Sequence, residues 1–95
     1  MDRPDRGAAL VAREIVSVFP PESISRCEEF PDRIQFRVTD REGLEVRRII
    51  LGRESLRKLD RDPQRDVKIE YLRRDLENAS RTRRTWAYPR ALALR

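Results

Sequence analysis

The sequence predicts a small α+β domain: an N-terminal helix, a three-stranded antiparallel meander, a short helix, and one or two further strands. Its 95 residues suffice for one domain with a modest core, so we expect residues 1–95 to fold as a single domain. Apolar residues recur at helical spacing in the first twenty positions and alternate from position 33 onward. Turn-forming residues at Pro31-Asp32 and at Gly43 separate the predicted strands of the meander.

The first predicted element is a helix between Asp5 and Phe19. Asp5 can cap its N terminus, and Pro20-Pro21 prevents its continuation. Its apolar residues share one side, which we expect to face the core: Leu10, Val11, Ile15, Val18 and Phe19.

A short edge strand is predicted from Ser23 to Phe30, closed by the turn at Pro31-Asp32. Cys27 is the only cysteine, which rules out an internal disulfide and a multi-cysteine metal site. We expect Cys27 to be buried as a small apolar residue against the next strand.

The clearest strand runs from Arg33 to Thr39, where polar residues alternate with Ile34, Phe36 and Val38. A second strand follows from Leu44 to Leu51. A three-residue loop at 41–43, with a positive φ at Gly43, would join them in a common hairpin.

This hairpin register pairs Val38 with Val46 and Ile34 with Ile50, so that the apolar faces coincide. It also places Arg37 opposite Arg47 on the other face of the sheet. Facing like charges destabilise a sheet unless an opposite charge compensates them. Either Glu28 on the neighbouring strand or an external phosphate could supply that negative charge.

The rest of the chain predicts a short helix, an ambiguous segment and a last strand. Leu56 and Leu59 mark the helix, which ends before Pro63. Val67, Ile69 and Tyr71 alternate, which favours a strand near 66–73, although the spacing of apolar residues at 68–80 also fits a helix. Alternation resumes at 82–88 and predicts a final strand before Pro89.

Basic side chains outnumber acidic ones by 22 to 17, and the excess lies near the C terminus. Residues 63–95 hold nine basic and four acidic side chains, a net charge of +5. A basic C-terminal segment, 81–95, holds five arginines and no acid: Arg81, Arg83, Arg84, Arg90 and Arg95. Arginine suits bidentate phosphate contacts, although a genome rich in G and C would also favour arginine over lysine.

The stretch RTRRTWAYPR, residues 81–90, combines arginines with Trp86 and Tyr88. Single-strand-binding proteins use this combination, because cations contact phosphates and aromatic rings stack on bases. The alternative is that both rings pack into the core while the arginines are solvated on an edge strand. The sequence leaves both hypotheses open.

Several kinds of chemistry are excluded by composition. The chain has no histidine, so histidine-dependent acid–base and nucleophilic catalysis is impossible. Its three glycines stand apart and form no phosphate-binding loop. No apolar run approaches the roughly 20 residues that span a bilayer. We expect a cytoplasmic protein without a metal ion, a cofactor or membrane contact.

One catalytic motif has a counterpart in the chain. Pro31-Asp32 followed by Glu45-Val46-Arg47 resembles the motif of the PD-(D/E)xK nucleases, with Arg47 where that family has a lysine, and covers about half the chain. The resemblance implies a metal-dependent nuclease with a similar order of elements. The predicted register places Glu45 opposite Thr39, however, which separates Asp32 and Glu45 by about 23 Å along the strand. We therefore expect no enzyme.

The leading hypothesis is a small non-enzymatic nucleic-acid-binding module. Its candidate contact residues come from the sheet face and the C-terminal third: Arg33, Arg37, Arg47, Arg81, Arg83, Arg84, Trp86, Tyr88 and Arg90. The alternative is an adaptor domain that binds an acidic protein surface, possible as a homodimer if Ile49 and Leu51 lie on the outer side of the sheet.

Overall fold

The fold is known from a computed structural model, which describes residues 6–39, 42, 45–79 and 85–90. It confirms the predicted α+β class. The elements in chain order are α1 (Arg6–Val16), β1 (Ile24–Glu29), β2 (Arg33–Thr39), β3 (Glu45–Gly52), α2 (Arg53–Asp60), α3 (Arg65–Ala79) and β4 (Thr85–Tyr88).

The four strands form one sheet in the order β1-β2-β3-β4. The first three strands are antiparallel, as a meander requires, and β4 runs parallel to β3. The parallel pairing follows from the connection, because α2 and α3 carry the chain back across one face of the sheet before β4 begins.

A single core lies between the helices and this face of the sheet, the inner face. α1 packs against both α2 and α3, and α2 contacts β2 and β3. The buried core residues come from every element except β1: Ala8, Val11, Ala12, Ile15, Val16, Ile34, Phe36, Val38, Ile49, Leu51, Leu56, Leu59, Ile69, Leu76 and Trp86.

The opposite side of the sheet is termed the outer face. By strand alternation and register it carries Arg26, Glu28, Arg33, Gln35, Arg37, Thr39, Arg48, Ile50, Gly52, Thr85 and Ala87.

The predicted register of the β2–β3 hairpin is wrong over most of its length. Thr39 pairs with Glu45 as expected, but Val38 pairs with Arg47, so Val46 is an extra residue in β3. A bulge of one residue moves every following side chain to the other face. Ile34 therefore pairs with Leu51 instead of Ile50.

The bulge reverses two predictions about the sheet faces. Ile49 and Leu51 are fully buried in the core and do not lie on the outer face. Arg37 is paired with Arg48, not with Arg47. Gly43, on which the predicted loop depended, lies outside the described residues.

The strand predicted near 66–73 is also wrong, because this segment belongs to α3. Asp62 accepts a hydrogen bond from the backbone N–H of Gln64 at 2.7 Å just before the helix begins. Ile69 is buried, whereas Val67 and Tyr71 are 71% and 69% exposed. Their alternation with polar residues therefore did not mark a buried strand face.

The remaining predicted elements are confirmed within a few residues: α1, β1, β2, α2 and β4. The proposed cap Asp5 lies outside the described residues. In the part of the chain that the structure describes, no helix is long and apolar enough to cross a membrane.

Candidate nucleic-acid interface

Three arginines on adjacent strands line up across the outer face. Arg26 of β1 pairs with Arg37 of β2, and Arg37 pairs with Arg48 of β3. We call these three residues the arginine row. Because neighbouring strands lie about 4.8 Å apart, the row spans about 10 Å of backbone. The next register partner is Thr85, the first residue of β4.

One acidic side chain of the described outer face lies beside the row. Arg37 Nε lies 3.3 Å from Glu28 Oε1, so Glu28 is the neighbouring acid that forms an ion pair with Arg37. Arg26 and Arg48 are exposed. Among the described outer-face side chains there are four arginines and one glutamate, a net charge of +3.

Arg33 stands apart from the row, at the opposite end of β2. Its Nη1 lies 2.8 Å from Asp32 Oδ1, and its Nε donates to Gln35 Oε1 at 2.9 Å. The guanidinium also lies over the ring of Phe30, 4.2 Å from the centroid. These contacts hold Arg33 at the edge of the outer face and offset part of its charge.

The segment that forms α2 and α3 is nearly neutral. Residues 53–79, which include α2 and α3, hold eight basic and seven acidic side chains, a net charge of +1. Arg65 forms ion pairs at 3.0, 3.2 and 3.3 Å with three carboxylates, those of Glu14, Asp60 and Asp66. The four arginines and one glutamate of the described outer face thus carry a larger net charge than the segment of α2 and α3.

Local hydrogen bonds reinforce the ion pairs on this side. A hydrogen bond from Lys68, together with one from the backbone N–H of Gln64, lowers the pKa of Asp62. Asp62 is therefore a carboxylate at neutral pH and compensates Lys68.

Arg47 is a predicted contact residue that the structure removes from this interface. It lies opposite Val38 on the inner face and is only 7% exposed. Its guanidinium lies over the Phe19 ring, 5.7 Å from the centroid, and its Nε has no hydrogen-bond partner. Burial lowers the pKa of Arg47. The bulge at Val46 is the reason, since it turns Arg47 inward.

Trp86 is likewise removed as a base-stacking residue, and its packing into the core is confirmed. It is 5% exposed, and its Nε1 donates to Asp75 Oδ2 at 2.8 Å. Tyr88, also predicted as a contact, is partly buried and packs against the core. Both rings lie on the inner face because they alternate with Thr85 and Ala87 along β4.

Of the predicted C-terminal arginines, Arg90 is exposed just after β4. Arg81, Arg83 and Arg84 lie outside the described residues. They precede Thr85 in sequence, and Thr85 is the register partner of Arg48.

Cys27 is exposed, so its predicted burial is wrong. It pairs with Phe36 on the inner face, but β1 is the edge strand and contributes no residue to the buried core. Partial desolvation raises the pKa of the Cys27 thiol, and the negative charge of Glu29 raises it further.

Sequence reasoning missed Arg26 and Arg48, two of the three residues of the row. Arg48 had the visible signal, because it interrupts the apolar alternation of Leu44, Val46 and Ile50. The predicted register, with Val46 and Ile50 facing inward, would also place Arg48 on the inner face, and the bulge moves it to the outer face. Arg26 gave no signal, since its alignment with Arg37 depends on the pairing of two separate strands.

The nuclease-like residues are not brought together. Asp32 precedes the first residue of β2, whereas Glu45 pairs with Thr39, the last residue of β2. Seven residues of strand separate the two positions by about 23 Å. Within the described residues, no group of three or more cysteine, aspartate or glutamate side chains could hold a metal ion.

Comparison of the chain with protein-family models, with curated proteins and with solved structures found no match.

Proposed function

We propose that the protein is a non-enzymatic nucleic-acid-binding module whose outer sheet face contacts the phosphate backbone. The observation that supports this proposal most directly is the arginine row on the outer face of the sheet, in which Arg26 and Arg48 are exposed. Duplex DNA carries one charge per roughly 1.7 Å of its axis, so about 10 Å of duplex offers about six phosphates. Three arginines over this distance match about two to three of them.

The composition of the outer face favours phosphate contacts over base stacking. The outer-face positions of the four described strands carry no aromatic side chain. Base recognition by stacked rings, as on other sheet surfaces that bind single strands, therefore has no residues to use there. We expect weak dependence on sequence and strong dependence on salt.

The uneven distribution of charge over the molecule supports binding through the outer face of the sheet. A nearly neutral segment of α2 and α3 and a basic outer face would turn the sheet toward a polyanion during encounter. The arginines at 81, 83 and 84 precede Thr85, the register partner of Arg48, in the sequence, and we include them in the proposed interface.

The test compares two triple variants with the same change of charge. In the row variant, Arg26, Arg37 and Arg48 are replaced by Gln. In the control, three helical-side arginines are replaced by Gln: Arg61, Arg73 and Arg74. Binding to a 20-base-pair duplex and to a 20-nucleotide single strand is measured by fluorescence anisotropy between 50 and 200 mM salt.

We expect the row variant to flatten the log–log salt slope for duplex by about two to three units, at about 0.9 per phosphate. The control should leave the slope nearly unchanged, because its arginines lie on the opposite side of the molecule. Equal slopes for both variants, or no salt-dependent binding by the wild-type protein, would contradict the proposal.

The homodimeric adaptor receives no support from the residues that suggested it. That hypothesis required Ile49 and Leu51 to be exposed on the outer face, and both are fully buried.

A further inference from the structure

A groove of about 450 Å³ opens between the C-terminal end of α1 and the edge strand β1. Its apolar lining comes from the helix end, the following turn and two strands: Val16, Phe19, Pro21, Ile24 and Phe36. The groove exists because β1 extends the sheet beyond the part that α1 covers, which also leaves Cys27 exposed. Such a recess can accept one or two apolar side chains.

The charged residues that line the groove are all basic. Among the described lining residues, Arg13 and Arg26 are the charged ones, and none is acidic. Arg13 lies in the last turn of α1, is exposed, and forms no ion pair within the described residues. At the Cys27 thiol its positive charge acts to lower the pKa, against the larger effects of desolvation and of the Glu29 carboxylate, which raise it. A ligand for this groove should therefore carry a carboxylate beside an apolar group.

The strand that borders the groove has an open edge. β1 is the first strand in the sheet order, and it pairs only with β2 among the described strands. One row of its backbone N–H and C=O groups can accept another extended chain. A strand added there would direct alternate side chains toward the groove, which is the geometry of strand-addition recognition.

We propose that this groove binds an extended peptide segment of a partner protein in which acidic and apolar residues alternate. The segment adds to the edge of β1, places an apolar side chain between Phe19 and Ile24, and brings a carboxylate to Arg13. This site is separate from the arginine row except for Arg26, so it does not depend on the proposed nucleic-acid function.

The probe is a library of random twelve-residue peptides displayed on phage and selected against the full-length protein. We expect the enriched peptides to contain acidic residues next to or two positions from large apolar ones. A synthetic copy of an enriched peptide should shift the backbone amide signals of β1 and of the end of α1 in NMR spectra. N-methylation removes the N–H donors of alternate residues in the peptide. Methylation of the set of residues that pairs with β1 should abolish binding, whereas methylation of the other set should not.

The discriminating variant is Arg13→Glu, with Arg74→Glu on α3 as the control of equal charge change. Charge reversal at Arg13 should weaken binding of the enriched peptide by about tenfold or more, whereas charge reversal at Arg74 should have little effect on its binding. Both sites are exposed, so both variants should fold. Arg13 is not in the arginine row, so Arg13→Glu should leave the salt slope for duplex near that of Arg74→Glu.

Three outcomes would overturn the proposal. The selection could enrich no peptide, or enrich peptides without acidic residues. The enriched peptides could shift amide signals away from β1 and the end of α1. The two charge reversals could weaken binding equally, which would indicate a general charge effect and no specific contact at Arg13.

Discussion

At the scale of single residues, Trp86 shows how local sequence and final environment can point in opposite directions. Arginines precede it in the chain, yet its ring is buried and its indole N–H donates to Asp75 of α3. The hydrogen bond fixes the ring against the helix that crosses the inner face. Trp86 is therefore a core residue that connects β4 with α3.

Replacement of Trp86 tests this structural role. We expect Trp86→Ala to lower the free energy of unfolding by about 3 to 5 kcal/mol, because it leaves a large cavity and an unpaired Asp75. The measurement is urea denaturation followed by circular dichroism. The control is Tyr71→Ala, whose ring is 69% exposed and whose loss should cost less than about 0.5 kcal/mol. A stable Trp86→Ala protein with lost single-strand affinity would instead favour base stacking.

Arg47 is a second residue whose environment was not visible in the sequence. Its guanidinium is buried with an unsatisfied Nε, and its contact with the ring of Phe19 is the one interaction that compensates it among the described residues. A cation–π contact is worth about 0.5 to 2 kcal/mol, whereas burial of a charge costs several. Arg47 is thus expected to reduce the stability of the fold.

We predict that Arg47→Met will raise the free energy of unfolding by about 1 kcal/mol or more, since methionine fills a similar volume without a charge. The control is Arg48→Met, one residue further along β3 and exposed, which should change stability by less than about 0.5 kcal/mol. Both are measured by urea denaturation. A destabilised Arg47→Met protein would contradict the assigned cost of burying this guanidinium.

At the scale of elements, α3 is the helix whose type the sequence left ambiguous. Its buried residues Ile69 and Leu76 are seven positions apart, which places them on the same side of a helix. A strand would instead put Val67, Ile69 and Tyr71 on one face together. The structure separates these three, because Ile69 is 6% exposed and Val67 is 71% exposed.

A pair of substitutions distinguishes the helix from the strand. We expect Ile69→Ala to cost about 2 to 5 kcal/mol of stability, because it removes buried methyl groups. Val67→Ala should cost less than about 0.5 kcal/mol, since the side chain is exposed and alanine favours a helix. Thermal and urea unfolding report both values. Similar large costs at the two positions would support a strand in which they share a buried face.

The elements that could be predicted are those whose side chains follow one pattern throughout. In β2, the alternation of Ile34, Phe36 and Val38 corresponds to real burial, and the strand bounds were predicted to the residue. The bulge at Val46 has no such pattern, because an extra residue is revealed only by the partner strand. The composition of the outer face depended on that bulge, so Arg48 could not be assigned from the sequence.

At the scale of the whole molecule, the fold brings together on one surface basic residues that are spread along the sequence. Arginines occur along the entire chain, but those of α2 and α3 are largely matched by acids, whereas the outer face keeps a net charge of +3 among its described side chains. The three consecutive strands of the meander contribute one arginine each to the row. The sequence indicated the basic C-terminal segment, and the sheet supplies a second basic surface beside the start of β4.

The last prediction asks whether the C-terminal arginines and the arginine row bind the same nucleic acid. Replacing Arg81, Arg83 and Arg84 with Gln should flatten the duplex salt slope by about two to three units and weaken every sequence alike, because phosphate contacts carry no base information. If the segment and the row contact different phosphates of one duplex, the salt slope of the combined six-residue variant should flatten by the sum of the two separate changes.

Fluorescence anisotropy between 50 and 200 mM salt measures the slopes, and circular dichroism checks that each variant is folded. A combined change no larger than that of either triple variant would show that the two groups compete for the same phosphates. An unchanged salt slope in the C-terminal variant would exclude residues 81–84 from binding and leave the outer face as the whole interface. The row can bind without these residues, because it lies on β1, β2 and β3, whose mutual pairing does not involve residues 81–84.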